Sequence, residues 1–186
     1  DKYGNNGHFV EVWMDGAKGS GANAQEYDFT RWFNTIQKYE GKAAKYDADC
    51  MLFGAGAYTT VRWIGNEDGV AHENTWSKSN VTIDSNGSTP YTKGYEKGNK
   101  WTVPECDGRI TSGWFWGTNK CTPKTISQLA TMYFDSVGHN ATMLLNVPPN
   151  NQGTVDQAIL DRVTEFGNNI EETFRTNLAK ATGTTI

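Results

Sequence analysis

Short apolar runs alternate along this chain with amphipathic segments, and the alternation predicts strands and helices in turn. The segment from His8 to Asp15 is rich in β-forming residues and ends at a glycine, so its odd positions share one face. Similar runs at 50–53 and 61–64 predict two further short strands, and the run at 141–147 predicts a strand that ends before two prolines. Strand character also returns at 101–104 and 109–116, on either side of Glu105 and Asp107.

Helical spacing of apolar residues predicts three helices between these strands. The first covers about 27–39. The second has Thr122 as its N-cap and ends at Gly138, and the third begins at a capping box formed by Thr154 and Gln157. The stretch 77–100 is dominated by Ser, Thr, Asn, Gly and Lys, which predicts a long surface loop or a lid.

Strands that alternate with helices indicate an α/β fold with right-handed crossovers. A (β/α)₈ barrel typically needs about 250 residues, whereas this chain has 186 and only four or five strand-plus-connection units. We therefore predict the C-terminal half of a TIM-like barrel over residues 1–180 and the start of a linker over 181–186. The remaining N-terminal half of the same protein is then an expected partner, because the open edges of half a barrel must be covered.

Composition narrows the possible ligands. The net charge is −4 and no block of five like charges occurs, which argues against nucleic acid, and no apolar run approaches the roughly 20 residues of a membrane span. The chain holds 7 Trp, 8 Tyr and 8 Phe at a mean hydropathy of −0.65. Aromatic rings in a polar chain suit sugars, which present both C–H faces and hydroxyls, although core packing explains the same rings.

The cysteines indicate neither a disulfide framework nor a metal site. Cys50, Cys106 and Cys121 form an odd set without metal-ligand spacing, and a bridge between the last two stays open for an oxidising compartment. No cofactor is expected.

Two carboxylates stand where a predicted strand gives way to a glycine turn. Asp15 and Glu67 would both point into the mouth of a barrel, where the carboxyl ends of the strands converge. Retaining glycoside hydrolysis uses such a pair, one ionised to attack the anomeric carbon and one protonated to release the leaving oxygen. Turn formation is the alternative explanation for an acidic residue close to a glycine.

Several ordered motifs make the chain resemble the α-L-fucosidases of glycoside hydrolase family 29. They are EVWMDGA at 11–17, VRWIGNEDG at 61–69, VPECD at 103–107, GWFW at 113–116, SVG at 136–138, LLNVPP at 144–149 and the Asp161 to Gly167 segment. The residues of the first two motifs resemble those of the subfamily that is restricted to α-1,3/1,4-linked fucose on Lewis-type glycans.

The resemblance implies that Asp15 is the nucleophile and that Glu67 is the general acid and then the base. Arg62 would help to keep Asp15 ionised, and partial burial or the charge of Asp15 would favour the protonated form of Glu67. Glu73 is the rival for the acid/base role, because active-site loops in this family vary in length.

The resemblance also implies a set of substrate-binding residues: Trp13, Arg62, Trp114, Trp116 and Glu105. Their alternatives are core packing for Trp13 and Trp114, a structural ion pair for Arg62 and a supporting carboxylate for Glu105. Asn146 faces the barrel mouth by position, whereas Asp107 is expected to cap a loop.

We thus expect a secreted or surface-displayed retaining exo-α-L-fucosidase that acts on fucosylated oligosaccharides or glycoprotein glycans. This chain would be inactive without the other half of the barrel. A non-catalytic carbohydrate-binding module is the main alternative, and a barrel hydrolase whose carboxylates hold a metal is a weaker one, because no supporting ligands stand at metal-site spacing.

Overall fold

The computed structural model describes residues 9–15, 20–40, 50–54, 58–80, 92–117 and 121–178. These ranges contain seven strands: β1 Glu11–Trp13, β2 Met51–Phe53, β3 Val61–Trp63, β4 Lys78–Ser79, β5 Lys100–Trp101, β6 Val103–Arg109 and β7 Thr142–Asn146. They also contain three α-helices: α1 Phe29–Glu40, α2 Ile126–Ser136 and α3 Gln157–Phe174. Single 3₁₀ turns cover Gly21–Asn23 and Val137–His139. The linker predicted at 181–186 lies outside the described residues.

Five strands form one parallel sheet in the order β1-β2-β3-β6-β7. Parallel pairing with helices in the connections confirms the α/β prediction and is compatible with part of a barrel. Strand β6 lies between two parallel neighbours and is buried over most of its length, as parallel strands covered on both faces are.

The sheet is strongly curled, and this curl brings distant strands together across its inner face. Two strands separate β1 from β6, which in a flat sheet would place them roughly 14 Å apart. The indole N–H of Trp13 in β1 nevertheless donates to Oε1 of Glu105 in β6 at 2.8 Å. Side chains on the concave face of these strands can therefore reach a common site.

Helices α2 and α3 cover the outer face near β6 and β7. Ile110, Leu129, Met132 and Ile159 form one buried cluster there, against which Phe166 of α3 packs. A second cluster joins the even positions of the sheet to the neighbouring loops through Ile64, Ala71, Cys106 and Ala141. Odd positions of β6 are thereby left for the concave face.

Two predicted helix starts were wrong. The N-cap of α2 is Thr125, not Thr122, and Thr125 forms a full capping box with Gln128. The N-cap of α3 is Asp156, while the hydroxyl of Thr154 bonds to Asn150 in the preceding turn instead of opening a capping box with Gln157. The first helix and the strands at 50–53, 61–64 and 141–147 are confirmed to within two residues.

Two loop predictions also need correction. Strand β6 runs continuously through Glu105 to Asp107, where the sequence suggested an interruption, and 110–116 contains no strand. The stretch 77–100 is not a plain loop, because β4 and β5 pair antiparallel at its two ends. Its residues 81–91 lie outside the described part of the chain.

All three cysteines are free thiols. Cys106 is fully buried in the sheet, and the thiol of Cys121 bonds to the backbone of Gly117. The bridge left open between Cys106 and Cys121 is therefore not formed. Within the described ranges, no helix has the length and apolar character required to cross a membrane.

Candidate active site

A cavity of about 690 Å³ opens where the carboxyl ends of β1, β3, β6 and β7 converge. Its size falls within the range of small-molecule sites, and it combines aromatic and aliphatic walls with a few polar groups. The lining residues are Trp13, Asp15, Glu67, Asp107, Trp114, Phe115, Leu144, Leu145, Asn146 and Val147. Asp15 and Glu67, which are 52 positions apart in sequence, thus face the same space.

Strand β1 delivers Trp13 and Asp15 to the cavity. The alternation of an extended strand puts both on the same face. The indole of Trp13 stacks on the ring of Phe53 in β2, with centroids 3.9 Å apart and planes 12° from parallel. Its N–H is held by Glu105, so the ring has two independent restraints. Asp15 lies at the exposed end of the strand, where its carboxylate is open to a ligand.

A short loop after β3 carries Glu67. The amide of Asn66 bonds to the carbonyl of Val70, which closes the loop. Gly69 has a φ of +71°, and a Cβ atom at Gly108 would lie 3.2 Å from its Cα. Because both positions are glycine, the loop lies directly against the end of β6, and Glu67 reaches the cavity.

Trp114 holds the Glu67 carboxyl. Its indole N–H donates to Oε2 of Glu67 at 2.9 Å. The carbonyl of Trp114 accepts from Nδ2 of Asn146 at 2.9 Å, and the Arg109 guanidinium lies 5.2 Å from the ring centroid. These contacts fix the 110–116 loop over the end of the sheet.

Asp107 is a third carboxylate in the cavity, and sequence reasoning assigned it only a loop-capping function. Its Oδ1 accepts from the indole of Trp63 at 2.5 Å. Burial raises the pKa of Asp107, the bond from Trp63 opposes that rise, and the charges of Glu67 and Asp15 add to it. The signal was available in the sequence, because Asp107 shares strand alternation with Glu105.

Glu105 does not line the cavity. It is 3% exposed and lies behind Trp13 on the concave face. Burial raises its pKa to about 7, the bond from Trp13 opposes this, and the charges of Glu11 and Asp107 raise it further. The geometry favours the alternative of a supporting carboxylate over direct contact with a sugar.

The structure places Arg62 away from the cavity. Arg62 is 1% exposed, and its guanidinium donates to the carbonyls of Thr102 at 2.6 Å, Trp76 at 2.5 Å and Thr92 at 3.3 Å. Arg62 pairs in register with Pro104, on the face of the sheet opposite Trp63. The expected substrate contact and the expected support of Asp15 are therefore not what this geometry shows, and Arg62 instead ties the 76–102 region to β3.

We expect Arg62→Met to destabilise the full-length protein by about 3–5 kcal/mol, because it leaves buried carbonyls without their charged donor. Chemical denaturation measures this change, and Arg31→Met on the exposed surface of α1 is the matched control, with an effect within about 0.5 kcal/mol. A raised KM at unchanged stability of the Arg62→Met variant would instead support the predicted contact between Arg62 and the substrate.

Two other predicted positions also lie outside the cavity lining. The indole N–H of Trp116 donates to Oδ2 of Asp156 at 2.8 Å, which ties its loop to the start of α3. Glu73 is exposed, and it is Glu67 that lines the cavity. In the part of the chain that is described, no three His, Cys, Asp or Glu side chains are grouped so as to hold a metal ion.

Comparison with known proteins identifies relatives of one kind. A sequence model of the family described as Alpha-L-fucosidase matches residues 11–173. Alpha-L-fucosidase 1 of Arabidopsis thaliana is 38% identical over 177 residues, which cover 94% of this chain and 33% of that protein.

Solved structures agree with the sequence match. A family 29 fucosidase of Ruminococcus gnavus, solved in complex with fucose, superposes with a TM-score of 0.82 at 74% identity, covering 94% of this chain and 36% of that one. A family 29 member from an unknown rumen bacterium gives a TM-score of 0.75 at 30% identity, covering 91% and 32%. The chain thus spans about a third of the length of these relatives. The matches favour an enzyme over a non-catalytic carbohydrate-binding module.

Proposed function

This chain belongs to the α-L-fucosidase family of glycoside hydrolases, and we propose that the full-length protein is a retaining exo-α-L-fucosidase. The observation that carries the proposal is the single cavity lined by both Asp15 and Glu67 at the carboxyl ends of the strands. A double displacement needs two carboxylates that address the same glycosidic bond.

In the first step, a carboxylate oxygen of Asp15 attacks the anomeric carbon of fucose. The bond from that carbon to the leaving oxygen breaks, and Glu67 transfers its proton to this oxygen. In the second step, Glu67 removes a proton from water, whose oxygen bonds to the anomeric carbon and displaces Asp15. Both residues then return to their initial protonation states. Asp15 suits the attacking role because it is exposed in the cavity, whereas Asp107 is 8% exposed and bonded to Trp63.

Trp13 forms an aromatic wall for the sugar in this proposal. It precedes Asp15 by two positions on the same strand face, and Phe53 supports its ring from behind. Ring C–H groups and the methyl group of fucose can pack on such a surface. Phe115, Leu144 and Val147 extend the apolar lining of the cavity.

The motifs at 11–17 and 61–69 support a restriction to α-1,3/1,4-linked fucose. We expect the full-length protein to release fucose from Lewis-type trisaccharides at least about tenfold faster, in kcat/KM, than from α-1,2-fucosyllactose, a selectivity of about 1.4 kcal/mol. Proton NMR of the early reaction is expected to show α-fucose as the first product. Equal rates on both linkages would contradict the proposed linkage specificity. Release of β-fucose as the first product would contradict the proposed retaining mechanism.

We also place the protein outside the cell or at its surface, together with the N-terminal part of its own chain. Its substrates in this proposal are oligosaccharides and glycoprotein glycans, and these are displayed there. The remaining part of the protein would complete the barrel around this cavity, because the chain spans about a third of the length of its relatives.

A further inference from the structure

We propose that Trp114 is a positioning residue that determines which oxygen of Glu67 carries the catalytic proton. This inference rests on the proposed function, because it concerns the acid/base step of the same cavity. Trp114 was expected only as a wall of the pocket. The structure gives its indole N–H a specific partner, Oε2 of Glu67, at 2.9 Å.

The bond matters because Glu67 is otherwise poorly restrained. It lies exposed on a loop, and a glutamate side chain on a surface samples many rotamers. A proton donor must instead stay within hydrogen-bond reach of the leaving oxygen. One directional bond to a rigid ring removes most of this freedom.

The indole can act as a fixed point because its own position is determined by the ends of two paired strands. Arg109 in β6 and Asn146 in β7 are register partners. The guanidinium of Arg109 lies against the ring of Trp114, and the amide of Asn146 donates to its carbonyl. The ends of β6 and β7 thus position Trp114, and Trp114 in turn positions the carboxyl group of Glu67.

The direction of the bond distinguishes the two oxygens of Glu67. An indole N–H can only donate, so Oε2 must act as an acceptor. When Glu67 is protonated, its carbonyl oxygen is a better acceptor than its hydroxyl oxygen, so the bond favours Oε2 as the carbonyl oxygen and Oε1 as the oxygen that carries the proton. When Glu67 is ionised, the same bond remains and Oε1 is the oxygen that accepts the proton of water. Trp114 serves both steps without moving.

Two other indoles in and beside the cavity show the same type of bond. Trp13 donates to Glu105 and Trp63 donates to Asp107. Each ring fixes a carboxylate other than Asp15, the group that must stay free to form a covalent bond. The use of indoles as carboxylate holders is therefore a repeated feature of this concave face.

The test replaces Trp114 with Phe in the full-length protein and compares two substrates. With a Lewis-type trisaccharide, whose leaving oxygen requires a proton, kcat/KM is expected to fall about tenfold, the effect of losing one hydrogen bond. With an activated aryl fucoside, whose leaving group departs without a proton, kcat/KM, which reports only formation of the ester, is expected to change less than about twofold. Trp116→Phe is the matched control, since it removes an indole bond to Asp156 in the same loop and is expected to show no difference between the substrates.

Two additions keep the outcome decisive. Replacement of Trp114 by 3-benzothienylalanine removes only the N–H and preserves the shape of the ring, so it replaces the Phe variant if that variant unfolds. In a Glu67→Ala background, the loss of the N–H is expected to have no further effect on kcat. Equal losses of kcat/KM on both substrates, or an additive loss without Glu67, would overturn the role of Trp114. A parent protein that releases no fucose from either substrate would instead overturn the proposed function.

Discussion

Asp15→Ala in the full-length protein is expected to reduce fucose release by roughly 10⁴-fold or more, with the protein still folded. Without this carboxylate, no fucosyl-enzyme ester can form, and water must attack an unactivated anomeric centre. The exposed position of Asp15 at the end of β1 means that the substitution opens no buried cavity. The rate is measured with an activated aryl fucoside, so that protonation of the leaving group does not limit it.

Azide provides the positive test for this assignment. A small anion can occupy the space of the missing carboxylate and attack the anomeric carbon from the same side, so azide is expected to restore turnover and yield β-fucosyl azide. Asp28→Asn is the matched control, because it removes a carboxylate outside the cavity and an asparagine can still cap α1. Full activity of the Asp15 variant would exclude the nucleophile role, and azide rescue of Asp107→Ala alone would transfer that role to Asp107.

The sequence predicted the proposed reacting pair better than its surroundings. Asp15 and Glu67 stand at strand ends next to glycine turns, and in a parallel sheet the strand ends alone bring such residues to one edge. This prediction needs only the order of strands and turns, and the cavity contains both residues. Their catalytic roles stay a prediction that the experiments on Asp15 and Glu67 must decide.

For Arg62, the motif alone did not predict which face of the sheet the side chain occupies. It lies between Val61 and Trp63, and a matching motif does not reveal which face of the sheet an arginine occupies. Strand alternation places Arg62 on the face opposite Trp63, where three carbonyls satisfy its guanidinium. Those carbonyls belong to residues 76–102, and a partnership over 14 to 40 positions leaves no local pattern in the sequence.

The prediction that a strand is interrupted around Glu105 was wrong for a related reason. Pro104 lacks a donor and therefore argues against a central strand. In the structure, β7 begins opposite Glu105, so Pro104 lies just beyond the paired length and no bond to β7 is lost. The start of α2 was misread because Thr122 and Thr125 both suit a cap, and only Thr125 has a glutamine three positions later.

Glu67→Ala is expected to slow the hydrolysis of Lewis-type trisaccharides by about 10²–10⁴-fold, the usual contribution of a general acid. An activated aryl fucoside needs no proton in the first step, so its rate of fucosyl-enzyme formation is expected to fall much less. Breakdown of the ester still needs a base, and the intermediate should therefore accumulate as a burst of aryl alcohol in stopped-flow measurements.

Glu73→Ala is the control that separates the two candidate acids. Glu73 is exposed and lies outside the cavity lining, so its loss is expected to change neither substrate's rate by more than about twofold. A burst with the Glu73 variant and none with the Glu67 variant would reverse the assignment. The contrast is decisive because both residues are glutamates between β3 and β4, whereas Glu67 lines the cavity and receives the indole bond from Trp114 and Glu73 does not line it.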